Sequence, residues 1–392
     1  MQLLRPAAVF DGERRLDGAE VLVSGDRIVG IGHGLDAGDA EIVALEGATL
    51  LPGLIDLHSH VLLHPYERIS WSDQVLREPQ ALRVARAVVA LGATLAAGFT
   101  TLRDLGTEGA GDADVGLREA IERGIIPGPR LICVTRAIVA RGSYGPTGFA
   151  PHICIPQGAQ EVDGLESIAA ATRRQIRAGA QWIKVYADYR YGPHGDARPA
   201  FSADELALIV RIANDAGCPV AAHATTSEGM RRSTFAGVAT IEHGDGGDAD
   251  VFALMAERGV ALVPTLAVSE AMARYRGLAE DDPARLQKRA SFSAARASGV
   301  TIANGSDIGP FAHGNNAREL ALLVEHGLTP LEALRAATSV AARVLRCNDI
   351  GMLRPGARAD LVAIDGDPLD DITLLQRVRA VWKDGVRHAC PA

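Results

Sequence analysis

The chain has 392 residues, 47% hydrophobic and 22% charged, with a formal net charge of −8 and a pI near 5.8. That balance describes a soluble globular protein with a sizeable core and argues against general affinity for nucleic acid or an anionic membrane, so a small molecule is the expected partner. No apolar run approaches the roughly 20 residues a membrane helix requires.

A basic-then-apolar leader is not expected, because Asp11, Glu13, Arg14 and Arg15 interrupt the N-terminus early. Cys133, Cys154, Cys218, Cys347 and Cys390 are scattered and lack Cys-x-x-Cys spacing, which fits reduced thiols in a cytoplasm. The first fifty residues alternate apolar and turn residues: Val21-Leu22-Val23, Gly25-Asp26-Arg27, then Ile28-Val29-Gly30-Ile31. This predicts a small antiparallel sheet with tight turns. Asp360-Leu361-Val362-Ala363-Ile364 and the run from Val378 to Gly385 read alike. Residues 1–51 and 350–392 are therefore expected to form one small β-sandwich from both termini.

Between them, residues 52–349 alternate apolar strand-like runs with Ala- and Leu-rich helical stretches, the pattern of repeated β–α units. The expected strands are Leu54–His60, Phe99–Asp104, Arg130–Thr135, Trp182–Ala187, Val220–His223, Thr240–His243, Ala261–Pro264 and Thr301–Asp307. Eight such strands close a barrel, so the fold class expected is α/β, a (β/α)8 TIM barrel with the β-sandwich attached. Helices are expected at Gln80–Ala97, Glu166–Ala178, Ala203–Ala216, Ala284–Ala297 and Pro330–Arg346. Ser202 and Thr329 stand at N-cap positions, and Glu205 completes a capping box with Ser202. The Gly/Pro-rich stretches Ile138–Val162 and Asp188–Ser202 read as loops over the active face.

The polar residues of interest fall at the C-terminal ends of these strands, where barrel enzymes keep their chemistry. The first strand ends in His58 and His60, which share a face with Asp56, and two neutral imidazoles so spaced can reach one metal ion at about 2.0–2.1 Å. Lys184 lies in the fourth strand, His223 and His243 end the fifth and sixth, and Asp307 ends the eighth. Each alone has a plain structural explanation: a hydrogen-bonded histidine, a capping aspartate, a lysine turned outward. Falling together at one end of one barrel, they point to a site, and a lysine inside a barrel meets a large desolvation cost.

Several segments carry a family likeness: Leu51-Pro52-Gly53-Leu54-Ile55-Asp56-Leu57-His58-Ser59-His60, Gly98-Phe99-Thr100-Thr101-Leu102-Arg103-Asp104, Trp182-Ile183-Lys184-Val185-Tyr186, Ile241-Glu242-His243-Gly244, Gly305-Ser306-Asp307, and Gly351 to Val362. Together they resemble the amidohydrolase superfamily, in its imidazolonepropionase-like and prolidase-like (Xaa-Pro dipeptidase-like) branch, nearly end to end. The resemblance implies two divalent metal ions, usually zinc, with His58, His60 and Asp307 on one, His223 and His243 on the other, and Lys184 bridging them as a carbamate formed with carbon dioxide. The chemistry agrees, since a desolvated lysine has a lowered pKa and its neutral amine can attack carbon dioxide.

The implied reaction is hydrolysis of an amide or peptide-type C–N bond in a small substrate such as a dipeptide or N-acyl amino acid. A metal-bridging hydroxide would attack, Asp307 would shuttle the proton, and His223 would help polarise the carbonyl. The alternative on the same site is hydrolysis of a cyclic amide, amidine, lactone or carbamate. A catalytically inactive scaffold is disfavoured because all six ligands are present. Tyr186, His313 and Arg141 are the substrate-binding candidates, whereas His64, His152 and His194 have no assigned role. Two stretches depart from the family pattern. Arg141-Gly142-Ser143-Tyr144-Gly145 replaces a Thr-Gly-Gly-His-Gly-like loop, and Ala187-Asp188-Tyr189-Arg190-Tyr191-Gly192 replaces an Ala-Thr-Gly-Gly-like one. Homo-oligomers are compatible with such barrels, but no stretch specifies an interface.

Overall fold

The structure is a computed structural model that describes residues 1–150, 152–192 and 194–388; Cys390 lies outside the described residues. The chain opens with β1 (Gln2–Phe10), β2 (Arg15–Asp17), β3 (Glu20–Ser24), β4 (Arg27–Gly32) and β5 (Glu41–Pro52). It continues through β6 (Leu54–Ser59), α1 (Trp71–Arg77), α2 (Gln80–Ala96), β7 (Phe99–Asp104), α3 (Ala113–Glu122), β8 (Arg130–Cys133), β9 (Ile138–Ala140), β10 (Gln160–Val162) and α4 (Gly164–Ala178). Next come β11 (Ile183–Tyr186), β12 (Asp188–Arg190), β13 (Ala197–Pro199), α5 (Ala203–Asp215), β14 (Val220–Thr226), α6 (Ser227–Ala236), β15 (Thr240–Gly246), α7 (Ala249–Arg258) and β16 (Ala261–Val263). Helices α8 (Leu266–Arg276), α9 (Pro283–Ser298), α10 (Arg318–Glu325), α11 (Pro330–Ala336) and α12 (Ser339–Val344) precede β17 (Leu361–Asp365), β18 (Val378–Lys383) and β19 (Val386–His388).

Both termini enter one eight-stranded sheet, ordered β19-β18-β17-β5-β1-β3-β4 with β2 on β1. The join is β17 lying antiparallel on β5, Leu361 opposite Pro52. The N-terminal part is not purely antiparallel as expected. After β4 the chain returns to the start of β1, where Glu41 N–H bonds Met1 O at 3.1 Å, so β5 must run parallel to β1. Arg27 in β4 bridges to Arg358, bringing the far end of the sheet back to the segment that leads into β17. Leu4, Val21, Ile28, Leu50, Leu361 and Trp382 form its own apolar core.

The middle of the chain is α/β. Parallel strands β6-β7-β8 form one sheet, and β9-β11-β14-β15-β16, with β10 on β9, form a second parallel sheet. Residues 302–308 connect the two, Ile302 bridging Leu262 and Ile308 bridging Ser59, both parallel. The expected strand Thr301–Asp307 is thus reduced to isolated bridges. Its backbone leaves the extended region at Asp307, where φ is 57°, so that Asp307 N–H bonds His58 O at 2.7 Å.

The helices start where their caps predict: Ser202 with Glu205, and Thr329 with Glu332, close full capping boxes. The single expected helix Pro330–Arg346 divides at Thr338, because Ala337 O turns to accept Ile55 N–H at 2.8 Å while Thr338 Oγ1 bonds Leu334 O. The two expected loops are also partly ordered. Ile138–Val162 begins and ends in the paired strands β9 and β10, and Asp188–Ser202 contains the β12–β13 hairpin. Among the described residues no helix is long and apolar enough to cross a membrane.

Candidate active site

Six side chains meet at the C-terminal ends of the parallel strands: His58 and His60 from the end of β6, Lys184 from β11, His223 from β14, His243 from β15, and Asp307. The Asp307 carboxylate stands between the first two, its Oδ1 3.5 Å from His58 Nε2 and 3.3 Å from His60 Nε2. One ligand atom from each of these three residues lies within 4.8 Å of the others. The ring centroid of His243 is 5.0 Å from that of His58 and 4.4 Å from that of His223. Sequence reasoning brought these residues to one place, and the structure holds them there.

The outward nitrogens fix the rings. His58 Nδ1 donates to Glu242 Oε2 at 2.9 Å and His60 Nδ1 donates to Gly106 O at 2.9 Å, since a carboxylate and a carbonyl can only accept. His243 Nδ1 pairs with Thr265 Oγ1 at 2.8 Å. In each case Nε2 is left for the centre of the site, the arrangement that metal-binding histidines require. Burial pushes the pKa of His58, His223 and His243 well below the usual histidine value, so their lone pairs are available. Burial also lowers His60, but Asp307, Glu108 and Asp104 outweigh it and raise this pKa to about 9. A positive charge is favoured between His60 and Asp307, and the Asp307 carboxyl, despite its burial, is held below the ordinary carboxylate range by His58 and His60.

Lys184 is 1% exposed, and its Nζ makes no hydrogen bond among the described residues. Burial lowers its pKa to about 8 against the pull of Glu242 and Asp307. An ammonium in such a place is poorly satisfied. The orphaned amine, four imidazoles and a buried carboxylate are a donor set that fits divalent metal ions.

Around this centre lies a shell of which sequence reasoning had placed only Asp56 beside the histidines. Glu242 pairs with Arg103 at 2.9 Å, both fully buried, and Arg103 also donates to Leu57 O and stacks 4.4 Å over Trp182. Asp56 accepts from His58 N–H, Ser306 N–H, Ser306 Oγ and Asn316 Nδ2, tying β6 to the segment that carries Asp307. Glu108 accepts from Trp71 Nε1 at 2.8 Å and Tyr144 OH at 2.5 Å. Glu319 on α10 accepts from Leu266 N–H and Ala267 N–H, capping α8 in place of Thr265, whose hydroxyl is occupied by His243. Arg103 and Glu242 had a signal, opposite charges inside two apolar strands that had to find partners. Glu108, Thr265 and Glu319 had none in the local sequence. Glu108, His243, Thr265 and Asp307 all carry left-handed backbone, with φ of 50°, 71°, 53° and 57°.

The substrate-binding candidates divide. Tyr186 stacks on His223, centroids 4.6 Å apart at 13°, and touches Tyr144 and Tyr189. His313 packs with both ring nitrogens buried and, among the described residues, without a hydrogen-bond partner, and burial pushes its pKa down to about 4. Arg141 is exposed and ion-paired with Asp163, away from the six. His152 and His194 are exposed and His64 is half-buried. A cleft of about 440 Å3 leads from His223, His243 and Asp307 along α8 to its last residue, Arg276.

Residues 49–387 match the model of the "Amidohydrolase family". The chain is 32% identical over 372 residues to ochratoxinase of Aspergillus niger, covering 86% of this chain and 75% of that protein. Its structure is similar to that of a Xaa-Pro dipeptidase with bound methionine, with a TM-score of 0.89, 30% identity and 99% of each chain covered. It is also similar to that of a prolidase complexed with N-methylphosphonate-L-proline, with a TM-score of 0.87, 32% identity and 99% of each chain covered.

Proposed function

The chain belongs to the amidohydrolase family and is a hydrolase of that type, and from this premise we propose that it cleaves the amide C–N bond of a dipeptide or an N-acyl amino acid with the help of two divalent metal ions. The observation that carries this reading is Lys184, a buried amine with no hydrogen-bond partner among the described residues, set among four histidines and an aspartate. Similarity to proteins named Xaa-Pro dipeptidase and prolidase supports a peptide-type bond. The two parallel sheets, joined through residues 302–308, are read as one (β/α)8 barrel over 52–349, with 1–51 and 350–392 as the flanking β-sandwich.

His58, His60 and Asp307 would hold one ion and His223 and His243 the other, and the nitrogen-rich, oxygen-containing set suits zinc. When bound, such ions supply Lewis acidity, polarising a carbonyl and lowering the pKa of water toward neutrality. Lys184 would complete the set as a carbamate: its neutral amine forms an N–C bond to carbon dioxide and releases a proton to solvent, leaving an anion with two oxygens. The site favours this because burial already destabilises the ammonium. Asp307, anionic at neutral pH, is placed to take the proton of the attacking water and deliver it to the leaving amine nitrogen. Neutral His223 and the Tyr186 ring stacked on it border the place of the scissile carbonyl.

The test is amine release from a panel of dipeptides and N-acyl amino acids by zinc-loaded protein supplied with bicarbonate. Cleavage that disappears in Lys184→Ala supports the reading. Silence across the panel with metal bound at full occupancy overturns it and directs attention to cyclic amides, lactones and carbamates.

A further inference from the structure

Most charges on the cleft wall are already matched. Glu280 takes Arg285 at 2.7 Å and Arg289 at 2.5 Å, Asp245 takes Lys288 at 2.5 Å, and Glu270 and Glu325 share Arg318 at 2.7 and 3.4 Å. Two cations lining the same cleft, Arg190 and Arg276, make neither an ion pair nor a side-chain hydrogen bond among the described residues. Leu266, Val268, Met272 and Leu278 give the same cleft apolar surface.

Both arginines sit on elements fixed to the histidines. Arg190 ends β12, and two residues earlier the fully buried Asp188 accepts Thr225 N–H at 2.9 Å, Thr226 N–H at 2.8 Å and Thr226 Oγ1 at 2.6 Å. Those threonines close β14, the strand that carries His223. Arg276 ends α8, whose first turn is held by Glu319 and begins directly after Thr265, the partner of His243. The two face one cleft: Tyr189, Arg190 and Arg276 all line it, and the Arg190 guanidinium lies 6.0 Å over the Tyr189 ring. Arg190 belongs to the stretch that departs from the family pattern, so the departure brings a cation into the cleft lining.

We propose that Arg190 and Arg276 bind the carboxylate of the substrate within the cleft, with its apolar side chain or acyl group against α8, making the chain selective for substrates with a free C-terminal carboxylate. A guanidinium offers two parallel N–H donors to a carboxylate, and two arginines can grip it from both sides. Arg276 at a helix C-terminus also has a bland use, interaction with the helix dipole. This proposal rests on the hydrolase reading and is separable from it.

The experiment compares a dipeptide with its C-terminal amide, by kcat/KM, in the zinc-loaded wild type, Arg190→Gln, Arg276→Gln and the double variant. The wild type is expected to prefer the free acid, and that preference should fall about tenfold in each single variant and about a hundredfold in the double one, chiefly through KM. In parallel, calorimetry measures N-benzoylglycine and its neutral amide binding to zinc-loaded wild type and double variant. Weaker binding of the anion alone in the double variant supports the subsite even where no dipeptide is cleaved, which would leave the hydrolase reading to fail by itself. An unchanged acid-to-amide ratio, or a drop in Tm with that ratio intact, overturns the proposal while active wild type leaves the hydrolase reading standing.

Discussion

The two halves of the site differ in how far the chain itself completes them. On the β6 side, both outward imidazole nitrogens are held, by Glu242 and Gly106 O, and Asp307 stands between the inward ones. On the β11–β14 side, Lys184 Nζ has no hydrogen bond among the described residues and His223 is positioned by stacking on Tyr186. The first half is preorganised by outer partners. The second leaves a buried amine without a hydrogen-bond partner among the described residues.

Removing the lysine should deepen the contrast most. Lys184→Ala is expected to lower turnover about a thousandfold, equivalent to several kcal/mol of lost charge stabilisation. Metal analysis should show one ion per chain instead of two, and retention of both would refute the assignment. Arg103→Met attacks the outer support of the completed half: it strands the buried Glu242 carboxylate, and urea unfolding should show a loss of about 3–5 kcal/mol. If Arg103→Met with Glu242→Leu does not recover most of that, the pair is not the source of the loss.

Thr265→Val removes the hydroxyl that holds His243 and should weaken metal binding about 10- to 100-fold on the β14–β15 side only. Equal weakening of both ions would erase the distinction between the halves. Glu319→Gln acts at one further remove. Burial raises the Glu319 pKa from 4.5 to about 8, so the folded state holds its proton through a range in which the unfolded chain has lost it. Stability from this group is therefore fully present below pH 4.5 and declines as pH rises to about 8. The glutamine variant should flatten that decline in Tm measured across the window. Least affected is Arg141→Ala, expected to change stability by under about 0.5 kcal/mol and leave KM as it was, because Arg141 is exposed and paired only with Asp163.

The site was legible in the sequence to the extent that its residues interrupt apolar runs. His58, Lys184, His223 and His243 each sit on a strand whose neighbours are buried, so a polar side chain there needed a reason. Strand β7 has the bounds expected for it, Phe99–Asp104, for the same reason. What was not legible depends on contacts across the chain. Glu108 and Thr265 gain their roles from Trp71 and His243, and Arg141 pairs with Asp163. The break at Thr338 exists because Ile55, far away in sequence, needs a carbonyl. Likewise, the parallel pairing of β1 with β5 follows from where the connection lands, which hydropathy does not record.

His243 and Asp307 hold the left-handed backbone that a glycine would adopt without strain. Such conformations cost a folded protein about 1–3 kcal/mol each. Selection for heat resistance alone would therefore find glycine rewarding at both positions and would discard a histidine and an aspartate from the centre of the site. Endurance and turnover pull these two residues in opposite directions, and a thermostabilised descendant must draw its gains from elsewhere in the chain.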